Sequence, residues 1–273
     1  MNLLSFTTTR GTFALRAAVL LAASLLQPFG MMPKANAATA LTAEQIVERS
    51  WQLYRQHTPA EQEQILLQTT KDSQATREKT LVRWTRYQAS GEQVVIKFDS
   101  PAADSGLALL IDRAEREQQQ MWLRLPSWVK ARRVQGERQA QYFAGTDFTF
   151  EDNAELSGEA TERYNYRLLD ASKNGWWIEA TAKNPSDSAY GKREIWVDLD
   201  FAITRIDYFD SNLGLIKTLQ NIELKKFPSG GWRPDLMEMR NQQEARLTVL
   251  KVKARQFDST IAGQIFSQEF LGD

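Results

Sequence analysis

The sequence predicts a mainly β protein with few helices, built on one antiparallel sheet that curls or closes to hide its edges. Three observations carry this. From about residue 80 to residue 255, apolar and polar residues alternate in short runs, the period of half-buried strands. Short turns rather than helical crossovers join the runs, so neighbouring strands are antiparallel. The aromatic residues (eight tryptophans, seven tyrosines and thirteen phenylalanines) fall mostly within the runs, where strands favour them.

The N-terminus reads as a secretion signal. Arg10 and Arg16 supply positive charge, AAVLLAASLL at 17–26 a short apolar core, and Ala35-Asn36-Ala37 a small-residue site for cleavage after Ala37. Gln27, Pro28 and Gly30 interrupt the apolar run, which disfavours a spanning anchor. Residues 1–37 are thus the expected signal peptide and 38–273 a single mature domain, exported to the periplasm.

TAEQIVERSWQLYRQ at 42–56 is the expected first helix. Thr42 and Gln45 have capping-box spacing; Ile46, Val47, Ser50, Trp51 and Tyr54 form one stripe, and Pro59 ends it. Strands follow in pairs: 80–88 with 92–98 across Ala89-Ser90-Gly91, 106–112 with 118–126, and 162–170 with 175–183 across an Asn-Gly turn. Next come 192–199 with 203–210, then 214–227, 232–243 and 245–255, roughly ten or eleven strands in all. In the last, Leu247, Val249, Lys251 and Lys253 share one face and Thr248, Leu250, Val252 and Ala254 the other. SQEFLGD reads as a short helix or ordered tail. A narrow barrel fills itself with such aromatic side chains, and a wider one leaves an apolar cavity; the pattern leaves both open.

Composition excludes much chemistry. There is no cysteine, hence no thiol catalysis, disulfide or thiolate metal site. The only histidine, His57, lies where a helix ends, a place for contact with the last carbonyls. Lysine plus arginine equals aspartate plus glutamate at 34 each, so the whole chain has no strong bias toward nucleic acid or anionic membrane, and such a partner would need a local patch. No metal, cofactor or phosphate-loop motif is seen.

Two stretches carry a resemblance: MWLRLPSWVKARRV at 121–134 and YFAGTDFTFED at 142–152. Through Met121, Trp122, Pro126, Lys130, Arg132, Arg133, Gly145, Thr146, Asp147, Phe148, Glu151 and Asp152, the chain resembles the outer-membrane lipoprotein-sorting protein family of the LolA-like superfamily. It departs from the pattern at Leu125-Pro126, with Arg124 nearby, where an aromatic and a small residue are expected. The resemblance implies an incompletely closed antiparallel β-barrel, a half-barrel covered by helices, with an apolar cavity for acyl chains and no catalysis. It further implies a periplasmic carrier or chaperone of lipid or lipoprotein, a monomer, passing cargo toward an outer-membrane receptor, with an inner-membrane RND-type exporter as neighbour.

The candidate cavity residues are Trp84, Phe98, Trp122, Trp177, Trp196 and Tyr208. Lys130, Arg132, Arg133, Gly145, Thr146, Asp147, Phe148, Glu151 and Asp152 are motif or rim residues. There Gly145 lets the chain bend, Asp147 caps a short helix from Phe148, and Glu151 and Asp152 pair with Arg132 or Arg133. Arg83 and Arg86 lie on an outward face, or meet a helical lid or headgroup; a buried arginine needs partners. No residue is assigned to catalysis or to a metal. The alternative is a non-catalytic docking module for an exporter or envelope sensor; a carboxylate hydrolase at 147–152 is the third reading, for which sequence shows neither separation nor pKa values.

Overall fold

The computed structural model describes residues 41–72, 74–88, 91–113, 119–257 and 260–272. The expected signal peptide and its cleavage site, and the Ala89-Ser90 turn, lie outside these residues.

Helix α1 (Ala43–Gln56) is capped as the sequence predicts, with Thr42 and Gln45 each accepting from the other's backbone N–H. Its stripe is buried: Ile46, Val47 and Ser50 have no exposed area. Trp51 and Tyr54 pack on Trp232, with ring centroids 5.9 and 4.9 Å apart.

Thirteen strands form one sheet among the described residues. They are β1 (Ala60–Lys71), β2 (Arg77–Gln88), β3 (Gly91–Ser100), β4 (Ala108–Asp112), β5 (Gln120–Arg124), β6 (Arg132–Arg133) and β7 (Tyr164–Ser172). β8 (Gly175–Ala182), β9 (Lys192–Val197), β10 (Ile203–Phe209), β11 (Leu215–Lys226), β12 (Trp232–Asn241) and β13 (Arg246–Phe257) complete it. All recorded pairings are antiparallel. The order β6-β5-β4-β3-β2-β1-β13-β12-β11-β10-β9-β8-β7 is two meanders joined where β1 meets β13. β6 and β7 are free edges, so the sheet does not close into a barrel. Between them the chain leaves the sheet and forms a second helix, α2 (Phe150–Glu155).

Strand β1 is the element the alternation hides. Its inward positions are Glu61, Glu63, Ile65 and Leu67, all buried, so two charged residues occupy the face an apolar pattern would mark. They are tolerated because each is paired: Arg233 Nε lies 3.0 Å from Glu61 and Arg83 Nε 2.6 Å from Glu63.

Apolar residues divide between two faces. The inner face carries the main cluster, with Ile65, Leu67, Leu81, Ile96, Phe98 and Leu250 beside Phe143 and Phe148. The outer face of β2–β5 carries a row in register, Trp84, Val95, Leu110 and Trp122. It is covered by the C-terminal tail through Ile261, Ile265, Phe266, Phe270 and Leu271. Arg86 sits over Phe266 and Lys97 over Phe270, at 4.6 and 5.0 Å from the ring centres, a cation on each aromatic.

The tail therefore contributes to stability although it is added last. Phe266→Ala should lower stability by about 3 kcal/mol. Urea unfolding should show an earlier midpoint with an unchanged slope.

Candidate functional site

The site is the segment between the two sheet edges and what it faces. At the bend, Ala144 and Gly145 both take positive φ, 55° and 70°, a conformation glycine adopts freely. Thr146 Oγ1 donates to the Phe143 carbonyl at 2.8 Å and accepts from Phe148 N, which fixes the turn. Helix α2 then starts on a capping box of Thr149 and Asp152. The cap is thus Thr149, two residues later than expected, because its hydroxyl reaches the third helical N–H while Asp147 points into the sheet.

Each acid of the motif is buried and engaged. Asp147 accepts from Asn241 Nδ2 at 3.0 Å, Arg246 Nε at 2.7 Å and Thr248 Oγ1 at 2.7 Å. Its own N–H donates to Thr248 Oγ1. Asp152 accepts from Thr149 N, from Tyr190 OH at 2.8 Å and from Lys217. Lys217, fully buried, also donates to the Asp147 carbonyl and lies 5.1–5.4 Å from the ring centres of Tyr142, Tyr190 and Tyr208. Glu151 accepts from Ser188 Oγ and Ala189 N. Arg132 and Arg133 are exposed and take no part. The partners of Asp147 and the cation of Asp152 come instead from strands up to 101 residues away, and Ser188, Ala189 and Tyr190 come from the loop before β9, separations no local spacing encodes.

Further along, Arg113 donates to the carbonyls of Ala154 and Gly158 and pairs with Glu92. Arg193 pairs with Glu155 and Glu159, which also accept from Tyr164 and Tyr166. Burial pushes Glu155 up to about 7; Arg193 opposes the shift, and Glu159 and Glu151 add to it. At the other end of the inner face, burial pushes Glu63 up, but Arg83 and Arg255 more than offset this and hold it below the usual carboxylate range.

Of the six candidate cavity residues, only Phe98 and Tyr208 belong to the inner cluster. Trp84 and Trp122 lie under the C-terminal tail. Trp177 and Trp196 are directly paired across β8 and β9, stack at 5.5 Å, and Arg205 covers Trp196. Their strand neighbours Ile178, Ile195 and Val197 belong to the inner cluster, so the stacked pair faces the other way. The inward tryptophans are Trp51, Trp176 and Trp232. Arg83 faces inward onto Glu63, whereas Arg86 faces outward onto the tail.

The inner space is nearly filled. One void of about 20 Å³ lies among Ile65, Leu81, Arg83, Phe98, Phe143 and Phe148. A second of about 20 Å³ lies among Trp51, Leu156, Arg193, Tyr208, Leu219 and Trp232. A larger polar cleft of about 680 Å³, lined by residues including Gln120, Arg133, Glu137, Arg163, Ser186 and Ser188, opens on the surface. Among the described residues, no group of three or more histidine, cysteine, aspartate or glutamate side chains is placed to hold a metal ion.

Residues 90–273 match a family model described as an uncharacterized protein. No curated protein matches the chain in sequence. In structure it is similar to a domain described as an outer membrane lipoprotein-sorting protein from Vibrio parahaemolyticus, with a TM-score of 0.77 at 20% identity, over 85% of this chain and 98% of that one. It is similar to a DUF1329 family protein from Desulfovibrio piger, with a TM-score of 0.76 at 22% identity over 84% and 97%. A LolA superfamily protein from Nitrosomonas europaea gives 0.65 at 19% identity over 85% and 100%. The resemblance read from residues 121–152 is borne out in the fold.

Two predictions follow from the buried charges. Lys217→Met leaves the Asp152 carboxylate buried without its cation and should cost about 3–5 kcal/mol in denaturant unfolding. Glu155 holds its proton more tightly folded than unfolded, so its contribution to stability is full below the ordinary carboxylate pKa and is lost as pH rises toward 7. Glu155→Gln should flatten the fall in melting temperature over that window; an unchanged slope would contradict the assignment.

Proposed function

We propose, for a chain that belongs to the family matched over residues 90–273 and has a LolA-like fold, that it carries acyl chains of lipid or lipoprotein between its inner sheet face and the segment 141–158. The observation that carries this reading is the nature of the cover. The apolar inner face meets Phe143 and Phe148 of a separate segment. That segment is tied down by polar contacts, among them Arg246 and Lys217 to Asp147 and Arg113 to the carbonyls of Ala154 and Gly158. Such ties exchange for water when the segment lifts; a sheet packed on itself has no such release.

The magnitudes allow it. A charge-assisted hydrogen bond contributes about 1.5–3 kcal/mol net. Each buried methylene contributes about 0.8 kcal/mol, so a chain of about ten offsets several anchors. Helices α1 and α2 with the 141–158 segment are then the cover of a half-barrel in its cargo-free state. On this reading residues 1–37 direct export, the mature domain 38–273 works in the periplasm as a monomer, and no reaction is catalysed. Cargo passes toward an outer-membrane receptor, and an inner-membrane RND-type exporter is the neighbouring machine. The description of the Vibrio parahaemolyticus domain as lipoprotein-sorting supports this direction.

One observation favours a second reading, a dry docking module. The two inner voids are about 20 Å³ each, too small for a chain while the cover is down. Native mass spectrometry of protein taken from the periplasm separates the two. The carrier reading expects a bound lipid mass and uptake of a fluorescent fatty acid. It also expects Arg246→Ala, which loosens the cover, to speed uptake about tenfold or more. A bare mass, with no uptake by either protein, leaves the docking module.

A further inference from the structure

We infer that the loop joining β5 to β6 docks the protein onto an anionic lipid bilayer. The loop and the two residues of β6 that follow read LPSWVKARR over 125–133. Val129 stands 91% exposed, well beyond the next large apolar side chain, Leu213 at 61%. Trp128, beside it, is half-buried, with the Arg132 guanidinium 4.3 Å from its ring centre. Lys130, Arg132, Arg133 and Arg138 are exposed, and among the described residues none of them has a carboxylate partner. Glu137 is the one acid between Arg124 and Arg138.

This is a local excess of positive charge on a chain whose formal net charge is zero, with a bare hydrocarbon tip at its centre. The three parts have complementary places at a bilayer. Cations meet the negative headgroup potential. A tryptophan paired with arginine suits the interface, where one side is apolar and the other wet. A single projecting valine finds hydrocarbon in a fluid layer. An acidic protein surface would satisfy the cations, but it would have to present a preformed pocket to cover one isolated side chain. The same segment runs on through Arg133, Gly136 and Glu137 into the lining of the 680 Å³ cleft, so docking brings that cleft to the membrane surface.

The inference does not depend on cargo binding, and its test is read separately. The exported chain is floated with vesicles of phosphatidylcholine, with and without phosphatidylglycerol, at low and high salt. The expected result is binding to the anionic vesicles that salt weakens, with little binding to phosphatidylcholine alone. Lys130→Gln, Arg132→Gln and Arg133→Gln together should lower partitioning on the order of a hundredfold. Val129→Asp should lower it roughly tenfold. Both variants should keep the wild-type melting temperature, since the altered side chains are exposed, and wild-type uptake of fatty acid if any is seen. No binding to anionic vesicles at low salt, or variants that bind as wild type does, would overturn the proposal; the first result would assign the loop to an acidic protein instead.

Discussion

Charges brought inside a curved sheet must be paired, and that constraint organises this protein. Arg113, Arg193 and Lys217 project from the sheet or its margin with 3% or less of their surface exposed. An uncompensated charge there would cost several kcal/mol. The segment from Thr146 to Glu159 compensates two of them, Asp152 and the Asp147 carbonyl for Lys217 and Glu155 and Glu159 for Arg193, and adds two backbone carbonyls to the pairing of Arg113 with Glu92 on β3. A fourth buried cation, Arg233, is satisfied by Glu61 and by the Tyr54 carbonyl at the end of α1. Helix α1 and the segment that contains α2 are therefore attached to the sheet by electrostatics as well as by packing.

On the proposed carrier reading, the opening and closing of the inner space would follow from this. If the segment lifts, Phe143 and Phe148 leave the apolar wall and Lys217 and Arg193 lose their carboxylates together, while Arg113 keeps Glu92. Acyl chains can replace the first loss, and water or an anionic headgroup the second. Burial, with the nearby charges of Glu159 and Glu151 added, raises the affinity of Glu155 for a proton against the opposing effect of Arg193. The folded state therefore loses the contribution of Glu155 as that proton is lost, with pH rising toward 7. The fold tolerates such an interior because the sheet is held elsewhere, by the long pairing of β1 with β13 and by the tail packed on the outer face.

Much of this architecture was legible in the sequence. The capping box and apolar stripe of α1 are local signals, as are the turns that join the hairpins, and each strand the alternation predicts falls on an observed one. Strand β1 was not legible, because Glu61 and Glu63 occupy inward positions and only Ile65 and Leu67 carry the expected alternation. The tryptophans misled for a related reason. Trp84 and Trp177 alternate correctly along their strands, but alternation does not say which face is inner until register is known. The motif at 142–152 reads as a bend, yet its partners Lys217, Asn241, Arg246 and Thr248 are supplied by β11–β13, and nothing local announces them.

Hydrogen exchange on adding a long-chain fatty acid tests the central claim most directly, that the 141–158 segment is a displaceable cover over an acyl site. The account predicts that amides from Phe148 to Gly158 exchange faster when the acid is bound, while those of β1, β2 and β13 stay protected. Segment amides that remain as protected as the central strands, with and without the acid, would contradict it.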